Sequence, residues 1–138
     1  MATPGASETV PLNGSDDVVR ARHRVRALAI ELGFDLVSQT RIVTATSELA
    51  RNTLLHGGGG TMTITPVTDG ARRGLRMEFT DEGPGIPDLE LAMTDGWSSR
   101  GGLGLGLSGS KRLVDAFTVE SWPGGGTRVE VEQWLKRR

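Results

Sequence analysis

Arg100-Gly101-Gly102-Leu103-Gly104-Leu105-Gly106-Leu107-Ser108-Gly109-Ser110-Lys111-Arg112-Leu113 is a glycine-dense loop that runs into an amphipathic stretch. Glycine lets a backbone adopt positive φ and approach a ligand closely. A helix that follows presents unpaired N–H groups and a partial positive charge to an anion. The stretch therefore predicts a phosphate-binding loop, and the rest of the chain decides which kind.

Two common phosphate patterns fail. Gly104-x-Gly106-x-x-Gly109 has the letters of the dinucleotide fingerprint, which must follow a strand and open a βαβ unit with an acidic residue about 20 positions on. Here Thr94-Asp95-Gly96-Trp97-Ser98-Ser99 precedes the loop as a polar run, and 29 residues follow Gly109, too few for that unit. The P-loop requires Gly-Lys-Ser/Thr, whereas this chain has Gly109-Ser110-Lys111. Outward from the loop, glycine clusters at 57–60, 83 and 85, 101–109 and 124–126. At 20 of 138 residues it is about twice its average usage of about 7%.

The length fits one domain. A net charge of −1, from 16 basic and 17 acidic residues, gives no pull toward nucleic acid or membrane. The absence of cysteine excludes disulfides and thiolate metal sites and fits a reducing compartment. No apolar run approaches the ~18 residues of a membrane span, so a cytoplasmic location is expected.

Residues 1–7 read as a disordered tail, and residues 8–138 as one domain that begins with an edge strand, Glu8-Thr9-Val10-Pro11-Leu12. Ser15 is the expected N-cap of a first helix, with Asp16 and Asp17 in its first turn and Gly33 at its end. A second helix is expected from about Ser38 to His56, with Ile42, Ala45, Leu49 and Thr53 on its core stripe. Glu48 and Asn52, four apart, share a polar edge beside that stripe. Thr61 to Val67 and Leu75 to Thr80 form a hairpin about Asp69-Gly70, and the glycines and prolines of Asp81–Pro87 break both helix and strand. Leu107, Ser110, Leu113, Val114 and Phe117 predict a third helix. Thr118–Ser121 and Thr127–Glu132 predict the last two strands, giving a two-layer α/β sandwich with three helices on one face of a mixed, mostly antiparallel sheet.

Four pieces stand in fixed order: Glu48-x-x-x-Asn52, Asp81-x-Gly83-x-Gly85, Gly102-x-Gly104-x-Gly106 and Gly126-Thr127. Together they resemble the N, G1, G2 and G3 boxes of the Bergerat (GHKL) ATP-binding fold of gyrase, the Hsp90 chaperone, histidine kinases and MutL. Thr46–Asn52, Asp81–Pro87, Ala92–Trp97, Gly101–Leu107, Lys111–Asp115 and Trp134 further resemble the RsbT-type serine kinases, which are related to the RsbW and SpoIIAB anti-sigma factors. Ser108 and Ala116 depart from that pattern without removing a motif residue.

The resemblance implies ATP or ADP with Mg²⁺ as ligands. Asn52 would supply a neutral oxygen to Mg²⁺, which takes few protein ligands beside the nucleotide phosphates. Glu48 would be the catalytic base that accepts the proton of the incoming hydroxyl. An ionised Asp81 can only accept hydrogen bonds, so it suits the exocyclic amine of adenine and opposes the carbonyl of guanine. Gly83 and Gly85 would pass close to the base, and Thr127 would complete the adenine pocket. Gly102, Leu103, Gly104, Leu105 and Gly106 would wrap the triphosphate as a lid. Lys111 is a further phosphate candidate, while His23 and His56 read as surface or helix-end residues.

The implied function is a serine kinase of a bacterial stress-signalling switch. It phosphorylates a STAS-domain partner of the RsbS or RsbR kind and binds and activates a PP2C-type, RsbU-like phosphatase. The alternative is an RsbW-type anti-sigma factor that sequesters a sigma factor and phosphorylates its antagonist. A detached histidine-kinase catalytic domain is disfavoured because no dimerisation helix with a phospho-acceptor histidine precedes the edge strand. A pure ATPase would turn over ATP with no protein acceptor.

Overall fold

Apolar spacings of three and four place Val18, Ala21, Val25 and Ala29 on one buried stripe of α1, Ser15–Leu32. The same spacing buries Ile42, Ala45, Thr46, Leu49 and Thr53 along α2, Leu36–Leu55. The computed structural model describes residues 3–86, 93 and 107–136. Around the two long helices it places strands β1 (Thr3–Pro4), β2 (Glu8–Leu12), β3 (Gly60–Asp69), β4 (Arg72–Asp81), β5 (Ala116–Trp122) and β6 (Gly126–Trp134), with a short α3 (Leu107–Leu113) before β5.

The strands form one sheet in which β3 is followed by β4, β6 and β5, and β1 and β2 lie end to end along the outer edge of β3. Every described pairing is antiparallel. Alternation along β4 sends Leu75, Met77 and Phe79 to the helix side, where they meet Met62, Ile64, Val129 and Val131 from neighbouring strands. Alanines at 21, 29, 45 and 50, all fully buried, keep the helix surfaces low where they join this core. The result is the expected α/β sandwich with its helices on one face.

The disordered tail expected over residues 1–7 is held to the sheet from Thr3 onward. Thr3 and Pro4 pair with Thr68 and Val67, and β2 pairs with Gly60–Ile64. Between them Gly5, Ala6 and Ser7 span only Thr65 and Pro66, which is a one-residue bulge. Pro66 has no N–H to give the edge strand; its carbonyl accepts from Gly5 N at 2.7 Å and the ladder resumes beyond it.

Three boundaries shift for local reasons. The N-cap of α1 is Gly14 instead of Ser15, and Asp17 reaches back to accept from Asn13 N at 2.8 Å. Helix α2 starts two residues early because Asp35 caps it, accepting from Ser38 N at 2.7 Å. The third helix stops at Leu113, and Phe117 lies in β5. There β6 captures the chain: Asp115 N donates to Glu132 O at 3.0 Å and to Gln133 Oε1 at 3.1 Å. Arg41 closes the helix end, donating to the carbonyls of Arg112 and Leu113 at 2.8 and 3.3 Å.

The hydrogen bond from Ser38 N to Asp35 holds that carboxyl below its usual value. Its stabilising effect is therefore complete above the unfolded pKa and lost as pH falls through the lower folded one. Asp35→Ala is expected to melt below the wild type at pH 7 by roughly a few degrees. Asp35→Asn should keep most of the cap, and in thermal melts the gap between the wild type and Asp35→Ala should narrow as pH falls through the lowered folded pKa of Asp35.

Candidate functional site

The site is built on one transverse row of the sheet. Asp81 at the end of β4 lies opposite Gly60 on β3 and Thr127 on β6, and Thr127 lies opposite Ser121 on β5. Directly opposed residues share a face, so Asp81, Thr127 and Ser121 stand side by side on the helix side, one step beyond the buried pair Phe79 and Val129. Asp81 Oδ1 accepts from Gly83 N at 2.9 Å. Its other oxygen has no partner among the described residues.

Backbone closes on Asp81 from two directions, at its carboxylate and at its main-chain carbonyl. A Cβ on Gly57, in the turn after α2, would stand 2.3 Å from Asp81 Cγ, and one on Gly126 would stand 2.1 Å from the Asp81 carbonyl oxygen. Gly126 also has φ of 100°, a conformation other residues rarely adopt. Neither position has room for a side chain. A Cβ on Gly83 would likewise stand 2.7 Å from both the Cα and the carbonyl oxygen of Gly57.

The segment after Asp81 is held by the β5–β6 hairpin. Ile86 N donates to Ser121 Oγ at 2.6 Å, and Gly124 N donates to Pro84 O at 2.8 Å. Gly85 passes so close to the Trp122 carbonyl that a Cβ would lie 2.5 Å from it. Ser121 Oγ also lies 3.0 Å from Thr127 Oγ1 and 3.3 Å from Gly126 O. Irregular sequence thus becomes a fixed wall.

Helix α2 forms the opposite wall. Leu49, Asn52, Thr53 and His56 face Phe79, Asp81, Thr127 and Val129 across a pocket that is partly open to solvent, with Gly85, Ile86 and Leu107 completing it. Asn52 Nδ2 is buried and has no hydrogen-bond partner among the described residues, a costly arrangement unless a ligand or solvent satisfies it. Glu48 sits one turn earlier on α2 and outside the lining. Its side chain is 42% exposed and meets Arg51 at 3.2 Å.

Asn52, Asp81, Gly85 and Thr127 therefore come together in one pocket, while Gly83 supports Asp81 from behind and Glu48 stands at the edge. Gly102, Leu103, Gly104, Leu105 and Gly106 lie outside the described residues. Lys111 is exposed on α3 and does not line the pocket. His56, read from the sequence as a helix-end residue, does cap α2, and because it follows Asn52 by four residues it also continues the same helical edge into the pocket lining. Gly57 and Ser121 were read only as parts of a glycine cluster and a strand, because they join Asp81 through the turn after α2 and the strand register. Among the described residues no group of three or more His, Asp or Glu could hold a metal. A cation here would depend on the Asn52 amide and on oxygens of the ligand itself, an arrangement suited to Mg²⁺ and to a phosphate-bearing ligand.

Comparison with known proteins agrees with this geometry. Residues 37–137 match the family described as histidine kinase-, DNA gyrase B-, and HSP90-like ATPase. The chain is 49% identical over 120 residues to the serine/threonine-protein kinase RsbT of Bacillus subtilis, covering 87% of this chain and 90% of that one. It is 36% identical over 115 residues to an anti-sigma F factor of Clostridium acetobutylicum, covering 79% of each. The crystal structure of the RsbU and RsbW domains of a Mycobacterium tuberculosis protein superposes with a TM-score of 0.65 at 19% identity, over 99% of this chain and 34% of that one. The last likeness concerns the fold. With Asp81 and Thr127 gathered across the pocket from Asn52 of α2, these matches place the chain in the histidine kinase-, gyrase B- and HSP90-like ATPase family and, within it, among the RsbT-type serine/threonine kinases that are kin to the anti-sigma factors.

Proposed function

We propose that the protein transfers the γ-phosphate of ATP to a serine hydroxyl of a small STAS-domain partner in a cytoplasmic stress-signalling switch. We propose also that, once released from that partner, it binds and activates a PP2C-type phosphatase. The observation that carries this reading is the pocket in which a half-free Asp81 carboxylate, Thr127 and an unsatisfied Asn52 amide converge, one helical turn from an exposed glutamate.

In this reading the free oxygen of Asp81 accepts from the adenine amine, and the Gly85 backbone and Thr127 border the ring. Asn52 would hold Mg²⁺ through its amide oxygen, and the ion would supply charge neutralisation for the phosphates. Glu48 accepts the proton of the partner's serine as its oxygen bonds to the γ-phosphorus and the bond to the ADP oxygen breaks. Its exposed position suits a base that must meet a hydroxyl carried in by another protein. The exposed contact with Arg51 costs little to break. The lid role of Gly102–Gly106 belongs to the same proposal.

Relatedness to an anti-sigma F factor supports a second reading, in which the chain sequesters a sigma factor and phosphorylates its antagonist. Affinity capture separates the two. A sigma factor on the immobilised protein would favour the second reading, and a STAS-domain protein with a PP2C-type phosphatase would favour the first.

Titration calorimetry with Mg²⁺ tests the pocket. Adenine nucleotides are expected to bind and GTP to bind far more weakly, and Asp81→Asn should lower adenine nucleotide affinity by roughly 10- to 100-fold. Binding of GTP as tight as that of ATP would sink the assignment of Asp81. Glu48→Gln should cut phosphoserine formation on a cognate STAS protein by at least about 100-fold while nucleotide affinity stays within about threefold.

Gly57→Ala pushes a methyl into the Asp81 carboxylate. It is expected to weaken ATP binding by roughly tenfold or more and to speed hydrogen exchange at the Gly83 amide. Gly109→Ala, on an exposed face of α3 with nothing within 4 Å, should leave affinity unchanged.

A further inference from the structure

We propose that Ser121 is a positioning residue for adenine recognition: it delivers its proton to Thr127 and thereby makes the Thr127 hydroxyl a donor toward the acceptor nitrogen N1 of the ring. This deepens the reading of the pocket as an adenine nucleotide site and rests on it. Ser121 does not line the pocket and so acts only through its neighbours.

The three contacts of Ser121 Oγ restrict its one proton. A serine hydroxyl has a single donor and two acceptor lone pairs. Ile86 N–H, at 2.6 Å, occupies one lone pair. The Gly126 carbonyl at 3.3 Å can only accept, whereas Thr127 Oγ1 at 3.0 Å can accept or donate. Among the described residues the proton therefore has two destinations, and the shorter distance favours Thr127. With Ser121 donating to it, Thr127 turns its own O–H into the pocket.

That choice sets a two-place pattern on the row. Asp81 on β4 presents an acceptor, and Thr127 on the adjacent strand β6 presents a donor, about one strand spacing away. Adenine shows the complementary order along its edge, an amine donor at N6 beside an acceptor at N1. Guanine shows the reverse, a carbonyl at O6 beside an N–H at N1. If the Ser121 proton went to Gly126 instead, Thr127 would donate back to Ser121 and offer the ligand only a lone pair. Ser121 thus sets the polarity of the second place, and by holding Ile86 N it also fixes the wall beside it.

The test is calorimetry with Mg-ATP and with 1-deaza-ATP, in which a C–H replaces N1, against the wild type, Ser121→Ala, Ser121→Thr, Thr127→Val and the double variant Ser121→Ala/Thr127→Val. The wild type is expected to prefer ATP by roughly three- to tenfold. Ser121→Ala and Thr127→Val should each lose most of that preference, the double variant should lose no more, and Ser121→Thr should keep it. Should Ser121→Ala fail to fold, Ser121→Cys, which keeps the volume but donates weakly, carries the same expectation.

An equal loss of affinity for both nucleotides in Ser121→Ala would mean that the residue only braces Ile86, and would overturn the proposal. So would an ATP preference that survives removal of the hydroxyl, or a wild type that binds ATP and its deaza analogue alike. A wild type that binds neither nucleotide overturns the adenine-site reading itself.

Discussion

The register between β4 and β6 is the constraint on which the site depends. It sets Asp81 opposite Thr127, and a slip of one residue would turn one of the two away from the pocket. Both faces of the sheet resist that slip. On the inner face Phe79 meets Val129 and Met77 meets Val131, all buried. On the outer face Glu78 and Glu130 stand directly opposed, a pairing that repels unless cations bridge it. Arg128 meets both carboxylates, at 3.1 and 3.5 Å, and Arg76 meets Glu130 at 3.6 Å and Glu132 at 2.8 Å. Each pair is partly exposed and individually weak. Together they relieve the repulsion between the opposed carboxylates, while the buried inner-face pairs carry the cost of a slip.

Much of this was legible in the residues, because helix periodicity, strand alternation and glycine punctuation are local signals. Leu49 and Thr53 were read as core stripe and Asn52 as its polar edge, and all three line the pocket. The type II′ turn at Gly70, with φ of 61° at the first central position, was visible as Asp69-Gly70. What escaped depends on distant partners. Ser121 matters because β5 pairs with β6 in one particular register, and Gly57 matters because the turn after α2 folds onto the end of β4. Neither fact leaves a trace in its own neighbourhood. The helix ends moved for a related reason: competing caps such as Ser15 and Gly14 differ by little, and the carboxylate of Asp17 settles the choice.

The two walls of the pocket are made differently, and this bears on how binding and chemistry divide. The sheet wall is rigid: Asp81, Ser121 and Thr127 belong to strands bonded on both sides or to a hairpin, and the segment Glu82–Ile86 is clamped by Ser121 and Gly124. Groups carried on such a backbone stand at set places, so they select a ligand by the order of donors and acceptors along its edge. The helix wall grades from buried to open along one edge of α2. His56 and Asn52 face the cavity, and Glu48, one turn earlier, faces outward with a long cationic neighbour.

That gradient follows from α2 passing over the sheet at its Asn52 end while its polar edge emerges toward solvent. A base placed deep in the pocket would pair with the nucleotide already there. One at the exposed turn stays available to a hydroxyl that arrives on another protein. In the proposed mechanism, then, the step of four residues between Asn52 and Glu48 separates the group that holds the phosphates from the group that receives the partner. The same 1.5 Å rise per residue that makes them neighbours on the helix keeps them about 6 Å apart along its axis, near enough to serve a single phosphoryl group and far enough to face different molecules.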